Sequence, residues 1–155
     1  MALKGCYTAL ITPMRADSAI DYDGIKQLVD FQSKQGVNGI VAVGTTGESP
    51  TLEWDEHMGV IGRVFDRLDG SHMTIAGTGS NSTYEAIRAS KRAYDIGVRN
   101  ALIVDPYYNG PSSLELRKEH YTPLAMISEN LNIIPYVIPG RTGTQLLPQD
   151  LAFLH

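Results

Sequence analysis

Short apolar runs recur along the chain at nearly even intervals. Longer stretches separate them, in which apolar positions fall three or four residues apart. The runs are Tyr7–Ile11, Gly39–Val43, Met73–Ala76, Ala101–Val104 and Ile133–Ile138. Each is continuous instead of alternating, which is the pattern of a parallel strand covered on both faces.

The stretches between them predict helices. Ile25, Leu28, Val29 and Gln32 share one face, and Gly36 follows as a stop. Val60, Ile61, Val64, Phe65 and Leu68 give the clearest stripe of helical period, with Gly70 after it. "STYE" (Ser82–Glu85) and "SSLE" (Ser112–Glu115) both match a capping box, in which a Ser and a Glu satisfy each other's backbone N–H groups. Pro148–Asp150 opens a fifth helix.

Alternating strands and helices make a parallel α/β fold, either doubly wound or a (β/α)8 barrel. The residues after the strands favour the barrel. They read "TPM", "GTTGES", "GTGSNS", "DPYYNGP" and "PGRTG". Residues with possible chemistry are therefore spread over many strand ends, as barrel enzymes spread theirs. A dinucleotide fold would concentrate a Gly-rich turn after the first strand, and "ITPM" has none.

Composition narrows the partners. The chain has 155 residues, 43% of them apolar and 19% charged, which suits one packed domain. Its formal net charge of −4, without a basic block, argues against nucleic acid and anionic membranes. With Cys6 alone no internal disulfide forms, and a reducing cytoplasm is expected. No signal peptide and no membrane span is read from the sequence. His57, His72, His120 and His155 lack metal-ligand spacing, so no metal site is expected.

"GTTGES" (Gly44–Ser49) lacks the Gly-Lys-Ser/Thr ending of a nucleotide loop. Such a turn suits a small anion, although by itself it reads first as a plain strand-to-helix turn with glycines for positive φ. "PYYN" (Pro106–Asn109) pairs two phenols, which serve packing or, beside a second acid–base group, proton transfer. Tyr136 could be that group. Arg141 could clamp a carboxylate bidentately or form a surface ion pair.

Taken together and in order, "ALITPM", "GTTGES", "AGTGSNST", "DPYYNGP" and "YVIPGRTG" resemble the dihydrodipicolinate synthase family from about Gly5 to the last residue. The resemblance implies a (β/α)8 barrel, usually followed by a small helical domain. Residues 1–155 would be the amino-terminal portion of that barrel, with five strands and about four and a half helices. It also implies condensation of pyruvate with aspartate-semialdehyde on the route to diaminopimelate and lysine. Pyruvate would be held as a Schiff base, with no cofactor. By resemblance Tyr136 is the acid–base tyrosine, Thr45 the relay threonine, and Tyr108 the relay tyrosine lent by a neighbouring subunit. Thr46 holds the pyruvate carboxylate, and Arg141 receives that of the semialdehyde. A homotetramer built as a dimer of dimers is implied.

Two departures stand out. The family usually has Asn after the strand-five tyrosine, where this chain has Val137. The Schiff-base lysine belongs to a sixth strand, past these residues, and none of Lys4, Lys26, Lys34, Lys91 and Lys118 matches it. A complete barrel needs roughly 250 residues. The chain alone is therefore expected to be inactive. Two alternatives stay open: a non-catalytic half-barrel binding protein, and a pyruvate-dependent aldolase acting on another 2-keto acid. Many members are inhibited by L-lysine at the tight dimer interface, and the matching positions are Ser49, Trp54, His57, Asn81, Glu85 and Tyr107. Glu85 could pair with an ammonium group, and Trp54 could cover an aliphatic stem.

Overall fold

A computed structural model describes residues 3–68, 70–127 and 129–154. His155, one of the histidines weighed above for metal spacing, lies outside them. Five strands form one all-parallel sheet in the order of the sequence: β1 (Tyr7–Ala9), β2 (Gly39–Ala42), β3 (Met73–Gly77), β4 (Asn100–Val104) and β5 (Asn132–Tyr136). A doubly wound sheet reverses its strand order at a switch point, and this one does not. The sequential order is that of a barrel wall.

The helices follow the predicted stripes. In α1 (Tyr22–Lys34), Ile25 and Val29 are fully buried, and Gln32 accepts a hydrogen bond from the Thr8 hydroxyl at 2.9 Å. In α2 (Trp54–Arg67), Val60, Ile61 and Val64 are buried, while Phe65 and Leu68 pack at the margin. Ile40, Ala42 and Ala76 join these helices in one core. Ala101 and Ile103 join Ala86 of α3 (Thr83–Ile96) and Leu116, Tyr121 and Leu124 in a second. The other strand faces carry Leu102, Val104 and Tyr136 toward the site described below. Strands β2 to β4 are mostly buried, as the continuous runs imply. The edge strands β1 and β5 are half-buried or exposed.

Several local expectations are corrected. Strand β1 ends at Ala9 instead of Ile11, and β5 ends at Tyr136 instead of Ile138. Ser82 caps α3 by accepting the Glu85 N–H, but the Glu85 carboxylate does not return the bond. It accepts from the Ser80 hydroxyl at 2.6 Å instead, so "STYE" is a cap without a box. The box at Ser112 and Glu115 is complete, and it opens α4 (Ser113–Glu115). The helix then widens into a π-helical segment, Leu116–Tyr121, before α5 (Thr122–Ala125). The adjacent residues His120 and Tyr121 in this segment are both buried. Arg141 sits on a single helical turn, α6 (Pro139–Thr142). The last described helix is α7 (Pro148–Ala152).

Candidate active site

A cavity of about 220 Å³ opens at the carboxy-terminal ends of β2 to β5. Thr45 and Ser49 enter it from the turn after β2, and Tyr107 from the turn after β4. Tyr136 comes from the last residue of β5, with Arg141 and Thr142 from α6. A larger hollow at the opposite ends of the strands is lined by Lys4, Tyr7, Asn38 and Asn100. His72 and Arg99 also line it, but none of Thr45, Tyr107, Tyr136 and Arg141 does; those residues from the strand-end motifs meet in the smaller cavity.

The turn after β2 is built to present polar groups. Val43 and Glu48 both adopt positive φ, 53° and 58°, and between them Thr45–Gly47 forms one 3₁₀ turn. The amides that begin such a turn have no partner within it, which leaves Thr45 and Thr46 N–H available to an anion. Both threonines are exposed, and of the two only Thr45 lines the cavity. Among the described residues no hydrogen bond engages the Thr45, Tyr136 or Arg141 side chains, so all three are uncommitted donors.

After β4 the sequence places Tyr107 and Tyr108 side by side, but the structure separates them. Tyr107 lines the cavity, and its amide donates to Asn81 Oδ1 at 2.6 Å. Tyr108 is 86% exposed and does not line the cavity.

Beneath this turn lies Asp105, the acid that opens "DPYYNGP". It is fully buried and accepts from the Tyr121 hydroxyl at 2.5 Å and from the Leu146 amide at 3.3 Å. Burial pushes its carboxyl above the usual range, while those two donors hold it down. The carboxylate thereby ties the Tyr107 turn to the segment that follows Arg141. Its sequence signal was an acid at a strand end directly before Pro106.

Of the other six positions, Ser49 and Tyr107 line the main cavity. Trp54 and Glu85 line a separate cleft of about 50 Å³ with Arg88 and Arg92. Asn81 is engaged by Tyr107. His57 lies under Trp54, ring centroids 4.9 Å apart, and is only 1% exposed. Among the described residues no group of three His, Cys, Asp or Glu could hold a metal ion, and no helix is long and apolar enough to cross a membrane.

The dihydrodipicolinate synthetase family model matches residues 2–155. A 4-hydroxy-tetrahydrodipicolinate synthase from Trichlorobacter lovleyi is 48% identical over 151 residues, which is 97% of this chain and 51% of that one. The chain thus spans about half the length of the curated relatives it matches. Its fold superposes on the chloride-inhibited dihydrodipicolinate synthase of Acinetobacter baumannii complexed with pyruvate, with a TM-score of 0.94 and 42% identity, covering 99% of this chain and 52% of that one. The enzyme of Cyanidioschyzon merolae with lysine bound gives a TM-score of 0.92 at 36% identity, covering 97% and 51%. The five-stranded sheet and its helices correspond to the first half of the (β/α)8 barrel of these structures.

Proposed function

Because the chain belongs to the dihydrodipicolinate synthetase family, we propose that it forms the amino-terminal half of an enzyme that condenses pyruvate with L-aspartate-4-semialdehyde to 4-hydroxy-tetrahydrodipicolinate. The observation that carries this is the meeting of Thr45, Tyr107, Tyr136 and Arg141 on one cavity at the carboxy-terminal strand ends.

Condensation through a Schiff base needs a primary amine aimed into that cavity. None of the five lysines lines it: Lys4 is at the opposite end of the strands, Lys26, Lys34 and Lys91 are on α1 and α3, and Lys118 is in the π-helical segment. The amine therefore comes from polypeptide outside residues 1–155. The same polypeptide pairs with the outer edges of β1 and β5 and completes the barrel.

Within this half, Thr45 and Thr46 amides and hydroxyls hold the pyruvate carboxylate at the start of their turn. Tyr136 moves protons at the imine and at the new hydroxyl, in relay with Thr45 and with Tyr108 of a neighbouring subunit. Arg141 receives the semialdehyde's carboxylate through its planar fork. The exposure of Tyr108 supports a dimer in which each subunit lends this phenol, and two such dimers form the tetramer. We place the enzyme in the cytoplasm, where Cys6 stays reduced.

A second ligand is favoured by the lysine-bound relative. We propose that L-lysine binds near Trp54 and Glu85 at the dimer interface, with Ser49, Asn81 and Tyr107 at its cavity side and His57 beneath.

Steady-state kinetics on the full-length polypeptide carrying these residues test the assignment. Arg141→Ala should raise the semialdehyde KM about 10- to 100-fold, as loss of a charge-assisted pair requires. The pyruvate KM should change far less. A parent polypeptide that does not condense the two substrates would sink the proposal, and an equal rise in both KM values would remove Arg141 from its role.

A further inference from the structure

The turn that presents Thr45 begins with a costly residue. Val43 is β-branched, 1% exposed, and held at a φ of 53°. Positive φ is a rare conformation for such a side chain and persists only where the surroundings impose it. The next strand leaves room for it. A Cβ on Gly77 would stand 2.2 Å from the Val43 carbonyl oxygen and 3.0 Å from the Gly44 nitrogen. The peptide that leads into Thr45 therefore lies flat on the backbone of Gly77, in space that any other residue would fill.

Gly77 is itself held. Its carbonyl oxygen lies 2.7 Å from His57 Nε2. Burial holds the His57 pKa below its ordinary value, against backbone hydrogen bonding to Gly77 and Ser49 that favours the charged form. In the neutral ring the proton on Nε2 is the one that donates to Gly77 O. The imidazole thus reaches the end of β3, beside the peptide that leads into Thr45.

We infer that His57 is a positioning residue for the condensation reaction, fixing Gly77 so that the left-handed Val43 peptide aims Thr45 into the cavity. This rests on the function proposed above. It assigns His57 a task inside the fold, distinct from contact with an effector.

The test is a double-mutant cycle on the full-length polypeptide, read as kcat/KM for pyruvate with unfolding midpoints measured alongside. His57→Leu keeps the volume and removes the donor. It should lower kcat/KM about 10- to 100-fold when Thr45 is present, since a small misplacement near the chemistry has that effect. In a Thr45→Val background the same change should cost less than about 3-fold, because coupled residues are not additive. His57→Gln, whose amide can still donate to Gly77 O, should recover most of the loss. If His57→Leu does not fold, His57→Asn, too short to keep the contact, takes its place in the cycle. Equal losses in both backgrounds, or no loss on removing the donor, would overturn the inference while leaving the assigned reaction standing. A parent without condensation activity would overturn both.

Discussion

Tyr136→Phe in the full-length polypeptide is expected to lower kcat about 10²- to 10⁴-fold, the range for removing a positioned proton-transfer group. The change deletes one oxygen and nothing else. The ring at the end of β5 keeps its neighbours Val104 and Ile138 on the cavity wall. Because no hydrogen bond holds the phenol among the described residues, stability should stay within about 0.5 kcal/mol of the parent. Large loss of turnover with little loss of stability is the signature of a chemical role. Parallel measurement of kcat and of the urea midpoint checks it. A variant within about 3-fold of the parent would remove Tyr136 from catalysis and leave Tyr107 as the cavity's phenol.

The largest effect on stability is expected from Gly77→Ala, about 3 kcal/mol. The added Cβ meets backbone, not a movable side chain: Val43 O at 2.2 Å, Val43 C at 2.7 Å and Gly44 N at 3.0 Å. Neither strand can shift freely, since Val41 pairs with Ile75 and Ala42 with Ala76 just before the contact. Overpacking against fixed atoms costs about 1–3 kcal/mol, and moving a strained turn adds to it. Gly62→Ala is the control. Gly62 lies within α2 with nothing inside 4 Å of a built Cβ. Alanine there should stabilise the fold by about 0.5–1 kcal/mol, because it loses less backbone freedom on folding. Urea unfolding of both variants decides. Gly77→Ala at parental stability would contradict the packing described.

What the sequence revealed and what it hid divide along physical lines. Strands β2 to β4 and the α1 and α2 stripes were legible because burial imposes a period, as Ile25 with Val29 and Val60 with Val64 show. The strand-end motifs were legible as chemistry, and the structure brings Thr45 from the turn after β2 together with Tyr136 at the end of β5 and Arg141 on α6. Hidden features depended on contacts distant in sequence. Glu85 matched a capping box by spacing, yet the Ser80 hydroxyl takes its carboxylate. Residues 116–121 carry no signal for a π-helical turn. Glu53 caps α2 in a box with Glu56, outside the usual Ser, Thr, Asp or Asn choices. The orientation of His57 was invisible, because its partner, Gly77 O, belongs to a strand twenty residues on.

The central claim is that this half of the barrel supplies the acid–base and anion-binding groups while the amine comes from elsewhere. Borohydride reduction in the presence of pyruvate, followed by peptide mass mapping, tests it most directly. In the full-length polypeptide one pyruvyl adduct is expected, on a lysine outside residues 1–155, and none on Lys4, Lys26, Lys34, Lys91 or Lys118. An adduct on any of those five, or no adduct anywhere in the full-length polypeptide, would contradict the claim.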